Sequence, residues 1–377
     1  MRVVIVRTMP NFSMGVYADG IVSGLNAIHP DWEVVELTPH PVDRHSHSPL
    51  LRLKKYYERF WRFPRLVKHQ KADIFHIIDH SEAHITRWIK SINKPVVVTC
   101  HDLINIFYKD NLQGSVKLPF VSHALWMKSV KAMKQADHVI TVSSTTAQHT
   151  QEILDVESER ISVVPNAVDS NFRVLSEPQV QSFRQHLGAT SGSLCLLNVG
   201  SNHPRKNVSV IFAAVKLLKD KGASVQFWKA GTDFTTDERK LIAMHSIENE
   251  VSYIGQPEKS TLVKIYNAAD VLVAPSLHEG FGITLLEAMA CGTPVVTSNV
   301  SAMPEVVGDA GVLVDPTNAR HIADAVLKIQ LDASFRRQLV EKSLARAKTF
   351  TWEKTAKEIS KVYEQVTEEM ENSKASI

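Results

Sequence analysis

Cysteine is scarce in this sequence of 377 residues, which contains only Cys100, Cys195 and Cys291. Their number is odd, they lie far apart, and they stand in largely apolar or glycine-containing surroundings. A disulfide framework and a cysteine-ligated zinc site both need paired or closely spaced cysteines, so the sequence predicts neither. We expect buried free thiols in a reducing compartment, which favours a cytoplasmic protein.

Long apolar segments are missing as well. A membrane-spanning helix needs about 20 consecutive apolar residues, and the short apolar run at the start of the chain is broken by Arg7. A signal peptide would need a longer run followed by small residues. The sequence therefore predicts neither a spanning helix nor a signal peptide.

The excess of one charge over the other is small. The chain has 43 Lys and Arg against 40 Asp and Glu, a net charge of +3, so its overall charge does not indicate nucleic-acid binding. Hydrophobic residues at 44% and charged residues at 22% are typical of soluble globular proteins. At about 150 residues per domain, the length suggests two domains.

Short β-prone runs alternate with longer helical patterns along the whole chain. The runs are continuously apolar instead of alternating, which favours strands of parallel sheets covered on both faces. Strand–helix–strand repetition predicts doubly wound α/β sheets, and a turn-rich pause after Pro165 suggests two Rossmann-like domains joined near residue 170. The predicted strands are Val3–Val6, Glu33–Leu37, Ile74–Ile78, Pro95–Thr99, His138–Val142, Ile161–Val164, Leu194–Val199, Val225–Lys229, Val251–Ile254, Val271–Ala274, Pro294–Thr297 and Val312–Val314.

The most informative segment follows the strand that ends at Ala274. A loop with Gly280, Phe281 and Gly282 leads into a predicted helix from Ile283 to Ala290. Glycines before a helix let the backbone approach a ligand, and the free N–H groups of the first turn favour a phosphate. Glu287, about one turn into the helix, could accept hydrogen bonds from a ribose diol, and Glu279 could reach another part of the ligand.

Two other interpretations of this segment compete. The glycines could simply shape a turn, with Glu287 as a solvated carboxylate. A dinucleotide-binding loop is the second alternative, but Leu285 stands at its third glycine position, and Ser298 and Asn299 stand where an acidic residue would be expected.

The complete string EGFGITLLEAMACGTPVV resembles the signature of family-four retaining glycosyltransferases, which have the GT-B fold. The resemblance implies that Glu279 approaches the donor sugar, that Glu287 binds the nucleotide ribose, and that Gly282, Ile283 and Thr284 bind the phosphates. It also implies two Rossmann-like domains facing across a cleft: 1–170 on the acceptor side, and 171–352 binding the nucleotide sugar. A C-terminal helix of about 353–377 would cross back to the first domain.

Arg205 and Lys206 follow the first strand of the second half. Adjacent cations at the carboxyl end of a strand suit a diphosphate, because Arg offers a fork and Lys a point charge. They could equally be solvated cations at a helix start, but their placement resembles the basic donor loop of the family. The sequence contains no convincing Asp-x-Asp motif, so we expect no metal and no cofactor besides the nucleotide-sugar co-substrate.

In the first half, His101 follows the strand at Pro95–Thr99. A histidine at a strand end can bind sugar hydroxyls or move protons near neutral pH, although most single histidines are structural. The resemblance implies that His101 lies beside the donor sugar. It also implies that Gly15, expected in a loop just ahead of a helix, lets the backbone approach the donor.

Positive charge is concentrated in residues 52–71, which contain eight Lys or Arg and a single acidic residue, Glu58. On a helix, Leu53, Tyr56, Tyr57 and Phe60 would form one apolar stripe. We consider three interpretations. The stripe could pack on its own domain, with solvated cations. The segment could contact an anionic membrane or a lipid-linked acceptor, or it could bind nucleic acid. The candidate contact residues are Arg52, Lys55, Arg59, Trp61 and Arg62.

The resulting prediction is a retaining hexosyltransferase that moves sugar from a nucleotide-diphosphate donor to a hydroxyl acceptor, which could be a glycan, a lipid-linked or a small molecule. Domain closure would exclude water. The rival functions are a nucleotide-sugar epimerase of the same architecture, an NAD-dependent oxidoreductase, which the missing glycine disfavours, and a non-catalytic sugar-nucleotide-binding protein.

Overall fold

The computed structural model describes residues 1–8, 12–41, 48–107, 120–190 and 192–375. The chain divides into two compact units. Of the described residues, the first unit contains 1–103, 120–166 and 351–375, and the second contains 104–107 and Ala167–Phe350. The first unit is thus discontinuous in sequence, because its last helix comes after the whole second unit.

A parallel six-stranded sheet forms the centre of the first unit, with the strand order β2-β1-β3-β4-β5-β6. Its inner strands are buried on both faces, which explains their continuous apolar composition. The strands are β1 (Arg2–Val6), β2 (Glu33–Leu37), β3 (Ile74–Ile77), β4 (Val96–Cys100), β5 (His138–Thr141) and β6 (Ile161–Val163).

Helices flank this sheet. A π-helical segment, Glu58–Arg62, separates α2 from α3, and 3₁₀ segments occur at His80–Ile85, Ala132–Gln135 and Ser158–Arg160. The α-helices before Ala167 are α1 (Phe12–Ile28), α2 (Pro49–Tyr57), α3 (Phe63–Lys68), α4 (Thr86–Lys90), α5 (Ile104–Phe107), α6 (Phe120–Lys131) and α7 (Ser144–Leu154).

The last helix of the chain, numbered α16 (Trp352–Ala375), packs against α1. Ile359 and Tyr363 of α16 are buried in the same core as the strands β1 and β3. The approach of the two helices is close: a Cβ atom at Gly20 would lie 2.2 Å from the ring of Trp352. A glycine is therefore required at this crossing, and α16 belongs to the core of the first unit.

The second unit has its own parallel six-stranded sheet, with the order β12-β11-β10-β7-β8-β9. The neighbours β7 and β10 begin the two halves of the sheet, so the chain order reverses between them. Ligands of such sheets bind outside the carboxyl ends of the strands at this reversal. The strands are β7 (Leu194–Gly200), β8 (Val225–Gly231), β9 (Val251–Tyr253), β10 (Val271–Ala274), β11 (Val295–Ser298) and β12 (Val312–Val314).

Amphipathic helices cover this sheet, as α9 illustrates with Ile211, Phe212 and Val215 buried on one face. A short 3₁₀ turn, Pro204–Lys206, precedes α9. The helices are α8 (Glu177–His186), α9 (Val208–Asp220), α10 (Thr236–Met244), α11 (Lys259–Ala268), α12 (Ile283–Ala290), α13 (Met303–Val307), α14 (Ala319–Leu331) and α15 (Ala333–Ala347).

The fold predicted from the sequence is confirmed. All twelve predicted strands are present, and their ends differ from the predicted ones by at most two residues. Both sheets are parallel and doubly wound, and the last helix returns to the first unit. Within the described residues, every helix is too short or too polar to cross a lipid bilayer.

Candidate active site

Two loops meet where the order of the second sheet reverses. One follows β7 and carries Arg205; the other follows β10. The backbone N–H of Leu277 donates to the carbonyl of Arg205 at 2.7 Å. Asn207, in the left-handed region at φ 53°, donates its side-chain amide to the carbonyl of Pro275 at 3.2 Å. These bonds hold the loops together.

The carboxylate of Glu279 lies between two cations of the neighbouring loop. Its Oε2 is 2.5 Å from Nη1 of Arg205, and its Oε1 is 2.7 Å from Nζ of Lys206. The hydroxyl of Ser276 donates to Oε1 at 2.7 Å. Ser301 fixes the backbone of the same residue, because its hydroxyl accepts from the N–H of Glu279 and donates to its carbonyl.

The charge of Glu279 is determined by these neighbours. Burial alone would raise the pKa of this carboxyl, since only 8% of Glu279 is exposed. The positive charges of Lys206 and Arg205 outweigh burial, and hydrogen bonds from Lys206 and Ser276 add to their effect, so the pKa falls to about 2. Glu279 is therefore ionised throughout the physiological pH range, and it holds both cations in place.

A helix begins beside this cluster. Gly282 precedes α12 at φ 96°, a conformation that favours glycine. The N–H of Leu285 donates to the carbonyl of Gly282, so the amides of Ile283 and Thr284 lead the first turn. A small cavity is lined by Lys206, Glu279, Gly282 and Thr284, among others. A helix N-terminus facing a lysine is a suitable place for a phosphate.

Glu287 lies one turn further along α12 and is half-buried. The hydroxyl of the buried Tyr266 donates to its Oε2 at 2.7 Å. Burial raises the pKa of the Glu287 carboxyl to about 7, although the bond from Tyr266 and the charge of Lys259 lower it; the charge of Asp169 acts in the same direction as burial. Glu287 can therefore change its charge near neutral pH.

The structure thus brings together five of the residues singled out from the sequence: Arg205, Lys206, Glu279, Gly282 and Thr284. Phe281 differs, because its side chain is buried against Phe350 with ring centroids 6.0 Å apart. Its side chain therefore contributes to packing, and only its backbone is available to a ligand.

Sequence reasoning missed three supporting residues. Ser276 and Tyr266 hold Glu279 and Glu287, but a single serine or tyrosine gives no signal in a sequence. Lys229 did give such a signal, since it is a charged residue inside the largely apolar strand β8. It is fully buried, and its ammonium donates to the carbonyl of Gly200 at 2.6 Å, so it supports the loop that carries Arg205.

His101 belongs to the first unit, where it follows β4. Its Nε2 lies 2.8 Å from the carbonyl of Ile78. Because a carbonyl can only accept, Nε2 carries the proton, and Nδ1 is the acceptor of the neutral ring. Burial lowers the pKa of His101, while the charge of Asp79 and the bond to Ile78 raise it. The ring is therefore neutral and acceptor-bearing near pH 7.

The expectation for Gly15 is wrong in its local structure. Helix α1 begins at Phe12, so Gly15 lies inside its first turn and not in a loop ahead of it. Its carbonyl accepts a hydrogen bond from Arg7 at 3.3 Å. Because α1 begins earlier than predicted, Gly15 lies within the helix. Its position after the carboxyl end of β1 is as predicted from the sequence.

The apolar stripe predicted for residues 52–71 is split between two faces. Tyr56 and Phe60 face the protein: the hydroxyl of Tyr56 lies 2.7 Å from that of Ser122, and Phe60 packs on His84 at 4.5 Å. Leu50, Leu53, Tyr57 and Trp61 are instead exposed by 78%, 68%, 59% and 62%. The segment is helical, but a single inward stripe is the wrong description.

The cations of residues 52–71 also differ in their surroundings: some form ion pairs with buried carboxylates, and others are exposed. Arg59 pairs with the buried Glu82 at 3.0 Å, and Arg62 pairs with the buried Glu58 at 2.9 Å. These ion pairs stabilise the unit itself, although the Arg62 side chain remains 40% exposed. Arg52 is exposed and Lys55 half-exposed, so the surface keeps part of its positive charge.

Comparison with known proteins places the chain in a family. The family model described as glycosyl transferases group 1 matches residues 179–346, and the model described as glycosyltransferase family 4 matches residues 22–172. The O-antigen chain mannosyltransferase B of Escherichia coli is 30% identical over 260 residues, which are 68% of this chain and 67% of that protein. The chain belongs to the group 1 glycosyltransferases.

Other similarities extend this result. The serotype-specific mannosyltransferase WbdA of Escherichia coli is 28% identical over 296 residues, which cover 75% of this chain and 36% of that protein. The chain therefore matches only about a third of the length of this relative. Sucrose-phosphate synthase from Thermosynechococcus elongatus has the same fold, with a TM-score of 0.79, 21% identity, and coverage of 97% of this chain and 99% of that one.

Proposed function

We propose that this group 1 glycosyltransferase moves a hexosyl group, with retention of configuration, from a nucleotide-diphosphate sugar to a hydroxyl acceptor. The observation that carries the proposal is the meeting of Arg205, Lys206, Glu279 and the first turn of α12 at one strand reversal of the second sheet. Mannosyl transfer is the first activity to test, because two relatives from Escherichia coli, at 28% and 30% identity, are named as mannosyltransferases.

The diphosphate is the part of the donor that these groups suit best. When the bond between the sugar carbon C1 and the phosphate oxygen breaks, negative charge develops on the leaving diphosphate. Lys206, Arg205 and the leading amides of α12 are positioned to stabilise it, which is the largest catalytic contribution in many enzymes. We propose that these groups make the transfer metal-independent; activity that survives a chelator would support this, and activity restored only by a divalent cation would refute it.

Glu279 has a double role in this proposal. Without donor, its single carboxylate forms ion pairs with both Arg205 and Lys206. When the diphosphate takes over these cations, the carboxylate becomes available to accept hydrogen bonds from the hydroxyls of the donor sugar. Its low pKa keeps it acceptor-only. Glu287 would accept from the ribose diol, one turn further along α12.

Retention follows from a transfer on one face of the sugar. The acceptor oxygen forms a bond with C1 on the side from which the diphosphate leaves, and the acceptor proton passes to the leaving phosphate oxygen. In this scheme no side chain forms a covalent intermediate. His101 provides a neutral ring nitrogen that accepts a hydrogen bond from a substrate hydroxyl. The anomeric configuration of the product, measured by NMR, tests retention directly.

The donor is identified first by thermal shift with UDP-, GDP- and ADP-sugars. A donor at about 100 times its dissociation constant adds about 2.7 kcal/mol of stability. Transfer and hydrolysis are then followed with the donor that binds. An epimerase would convert the donor without an acceptor, an oxidoreductase would require a nicotinamide, and a mere binding protein would do neither.

Two variants test the site assignment. Lys206→Ala and Glu279→Ala should each nearly abolish transfer while the protein stays folded. Lys216→Ala is the matched control, because Lys216 lies on α9 and forms only an exposed ion pair with Asp220. Near-normal turnover in either site variant would show that the assignment is wrong.

We further propose that the exposed face of α2 and the following π turn contacts an anionic membrane, at the cytoplasmic side, where a lipid-linked acceptor would be found. Leu50, Leu53, Tyr57 and Trp61 form this face, and the exposed Arg52 lies beside it. Exposed apolar side chains flanked by cations suit an anionic lipid surface.

Sedimentation with vesicles tests this contact. The protein should sediment with vesicles containing anionic lipid and not with zwitterionic ones, and Leu53→Ala combined with Trp61→Ala should weaken sedimentation. Leu331→Ala is the control, since Leu331 is equally exposed, at 79%, on the second unit. Equal sedimentation with both vesicle types would refute the proposal, and binding of RNA instead would favour the nucleic-acid alternative.

A further inference from the structure

A chain of buried hydrogen bonds crosses the core of the first unit. The hydroxyl of Tyr17, on α1, lies 3.0 Å from Oγ1 of Thr99 on β4. The same Oγ1 is 2.7 Å from Nε2 of His76 on β3, and Nδ1 of His76 is 2.6 Å from the hydroxyl of Tyr363 on α16. All four side chains are at most 3% exposed. Two strands and two helices are therefore joined by polar contacts inside an apolar core.

The four hydrogen-bonded side chains of this series are all uncharged. Burial lowers the pKa of His76 to about 3, so its ring is neutral, with one nitrogen donating and the other accepting. Both nitrogens face hydroxyl groups, which can act in either sense. Each buried polar group in this series thus has a hydrogen-bond partner, and a buried polar group without one would destabilise the fold.

This series of hydrogen bonds ends at Tyr17, which lies beside His101. The rings of Tyr17 and His101 are in edge-on contact, with centroids 4.6 Å apart and planes at 87°. Trp352 of α16 contacts Tyr17 as well, at 6.1 Å. The imidazole of His101 is consequently held in two ways: its Nε2–H donates to Ile78, and the ring of Tyr17 limits its rotation.

We propose that Tyr17 is a positioning residue for His101. Its ring fixes the imidazole so that Nδ1, the acceptor nitrogen, is presented to a substrate hydroxyl, and its own hydroxyl is anchored through Thr99 and His76 to Tyr363 of α16. The inference rests on the proposed function, because it assigns Tyr17 a purpose in the transfer reaction. It adds that the last helix of the chain stabilises the position of His101.

The neutral state of His101 supports this role. Burial lowers the pKa of His101. The groups that act on it electrostatically are Asp79 and Asp102, which favour the charged ring, and His80, which opposes it. A neutral ring with Nε2–H fixed on a carbonyl has one defined acceptor. Rotation of the ring would exchange the acceptor for the donor, so a residue that prevents rotation affects function.

Two substitutions of Tyr17 separate its ring from its hydroxyl. Tyr17→Leu removes both, and we expect kcat to fall about 10- to 100-fold, because a misplacement of about 1 Å can cost about 100-fold in rate. The KM for the donor should change little, since the cations that bind it lie in the second unit. Tyr17→Phe retains the ring and should lose less. Tyr363→Phe removes the hydroxyl at the far end of the series, which reaches Tyr17 only through His76 and Thr99, so it should have the smallest effect of the three.

A spectroscopic signature distinguishes positioning from general destabilisation. In protein labelled with ¹⁵N-histidine, the ring signals of His101 are identified by their loss in His101→Gln. The wild type should show a single neutral form protonated on Nε2. Tyr17→Leu should show mixed or shifted signals, whereas Tyr363→Phe should leave them nearly unchanged. If Tyr17→Leu does not fold, the same comparison is made with Tyr17→Phe and Thr99→Val.

The outcomes are distinct. A wild-type kcat in Tyr17→Leu, or equal losses in Tyr17→Leu and Tyr363→Phe with an unchanged His101 spectrum, would overturn the inference and leave the proposed function intact. If the wild-type enzyme transfers no sugar from any nucleotide donor, the proposed function fails, and the role of Tyr17 in the reaction fails with it.

Discussion

Donor affinity is expected to depend on pH through Glu287. Ribose hydroxyls donate hydrogen bonds, so the ionised carboxylate is the better partner. With the pKa of Glu287 raised to about 7, about nine-tenths of the group is ionised at pH 8 but only about one-tenth at pH 6. The dissociation constant of the nucleoside diphosphate should therefore increase roughly tenfold between pH 8 and pH 6.

Donor affinity should rise with pH, but the contribution of the Glu287 carboxyl to folding stability should fall with pH. Its folded pKa of about 7 exceeds the ordinary value of 4.5, so between these values the folded state retains a proton that the unfolded state has lost. The contribution of Glu287 to the free energy of unfolding therefore falls as pH rises from about 4.5 to 7 and stays low above. The shift corresponds to an upper limit of about 3 kcal/mol.

Glu287→Gln separates the two effects. The substitution removes the buried charge, so it should stabilise the protein by about 1–3 kcal/mol at pH 8 and by almost nothing at pH 4.5, while nucleotide binding is weakened. Urea unfolding at both pH values gives the stability, and calorimetric titration gives the affinity. Glu341→Gln, at an exposed position of α15, is the control and should change neither.

Tyr266→Phe provides an independent check. The Tyr266 hydroxyl stabilises the ionised carboxylate, so its removal should raise the pKa of Glu287 further and move the loss of affinity to higher pH. A nucleotide affinity that is constant from pH 6 to 8, or an equal effect of Glu287→Gln on stability at both pH values, would show that this reasoning is wrong.

Three further predictions concern other sites. Glu279→Gln should bind nucleoside diphosphate more tightly than wild type yet transfer sugar more slowly, measured by calorimetry and turnover; weaker binding would contradict competition for the cations. Gly231→Ala should destabilise the second unit by several kcal/mol in urea unfolding, because its Cβ would lie 2.4 Å from the carbonyl oxygen of Gly200 and φ is 104°; unchanged unfolding would be contrary evidence. Gly20→Ala should destabilise the first unit through the ring of Trp352, which native-state hydrogen exchange of α1 and α16 would detect or refute.

The fold could be predicted because buried parallel strands have a distinctive composition. Runs such as Val96–Cys100 and Val271–Ala274 are mostly apolar and mostly buried, and the helices between them leave few alternative topologies. The candidate site was predicted from the complete string around Glu279 and Glu287 and from the placement of Arg205 and Lys206, which resemble the family, since glycines or paired cations alone left other interpretations open.

The supporting contacts could not be predicted because they join residues far apart in sequence. His76 and Tyr363 are 287 positions apart, and Tyr266 and Glu287 are 21 apart. Such pairs require knowledge of which strands and helices are neighbours. The surface of residues 52–71 was misjudged for a similar reason. The pattern identified the apolar side chains, but which of them are covered depends on Ser122 and His84, elsewhere in the unit.

The discontinuity of the first unit has a consequence for biosynthesis. Residues 167–350 form nearly all of the second unit as one continuous stretch, which residues 104–107 join from earlier in the chain, so most of this unit can fold as soon as that stretch leaves the ribosome. The first unit is synthesised earlier but must wait for Trp352 and Tyr363 before its core is complete. Until then, α1 exposes the apolar surface that α16 later covers. Chaperones and proteases should therefore act mainly on the first unit during synthesis, although it is the first to be translated.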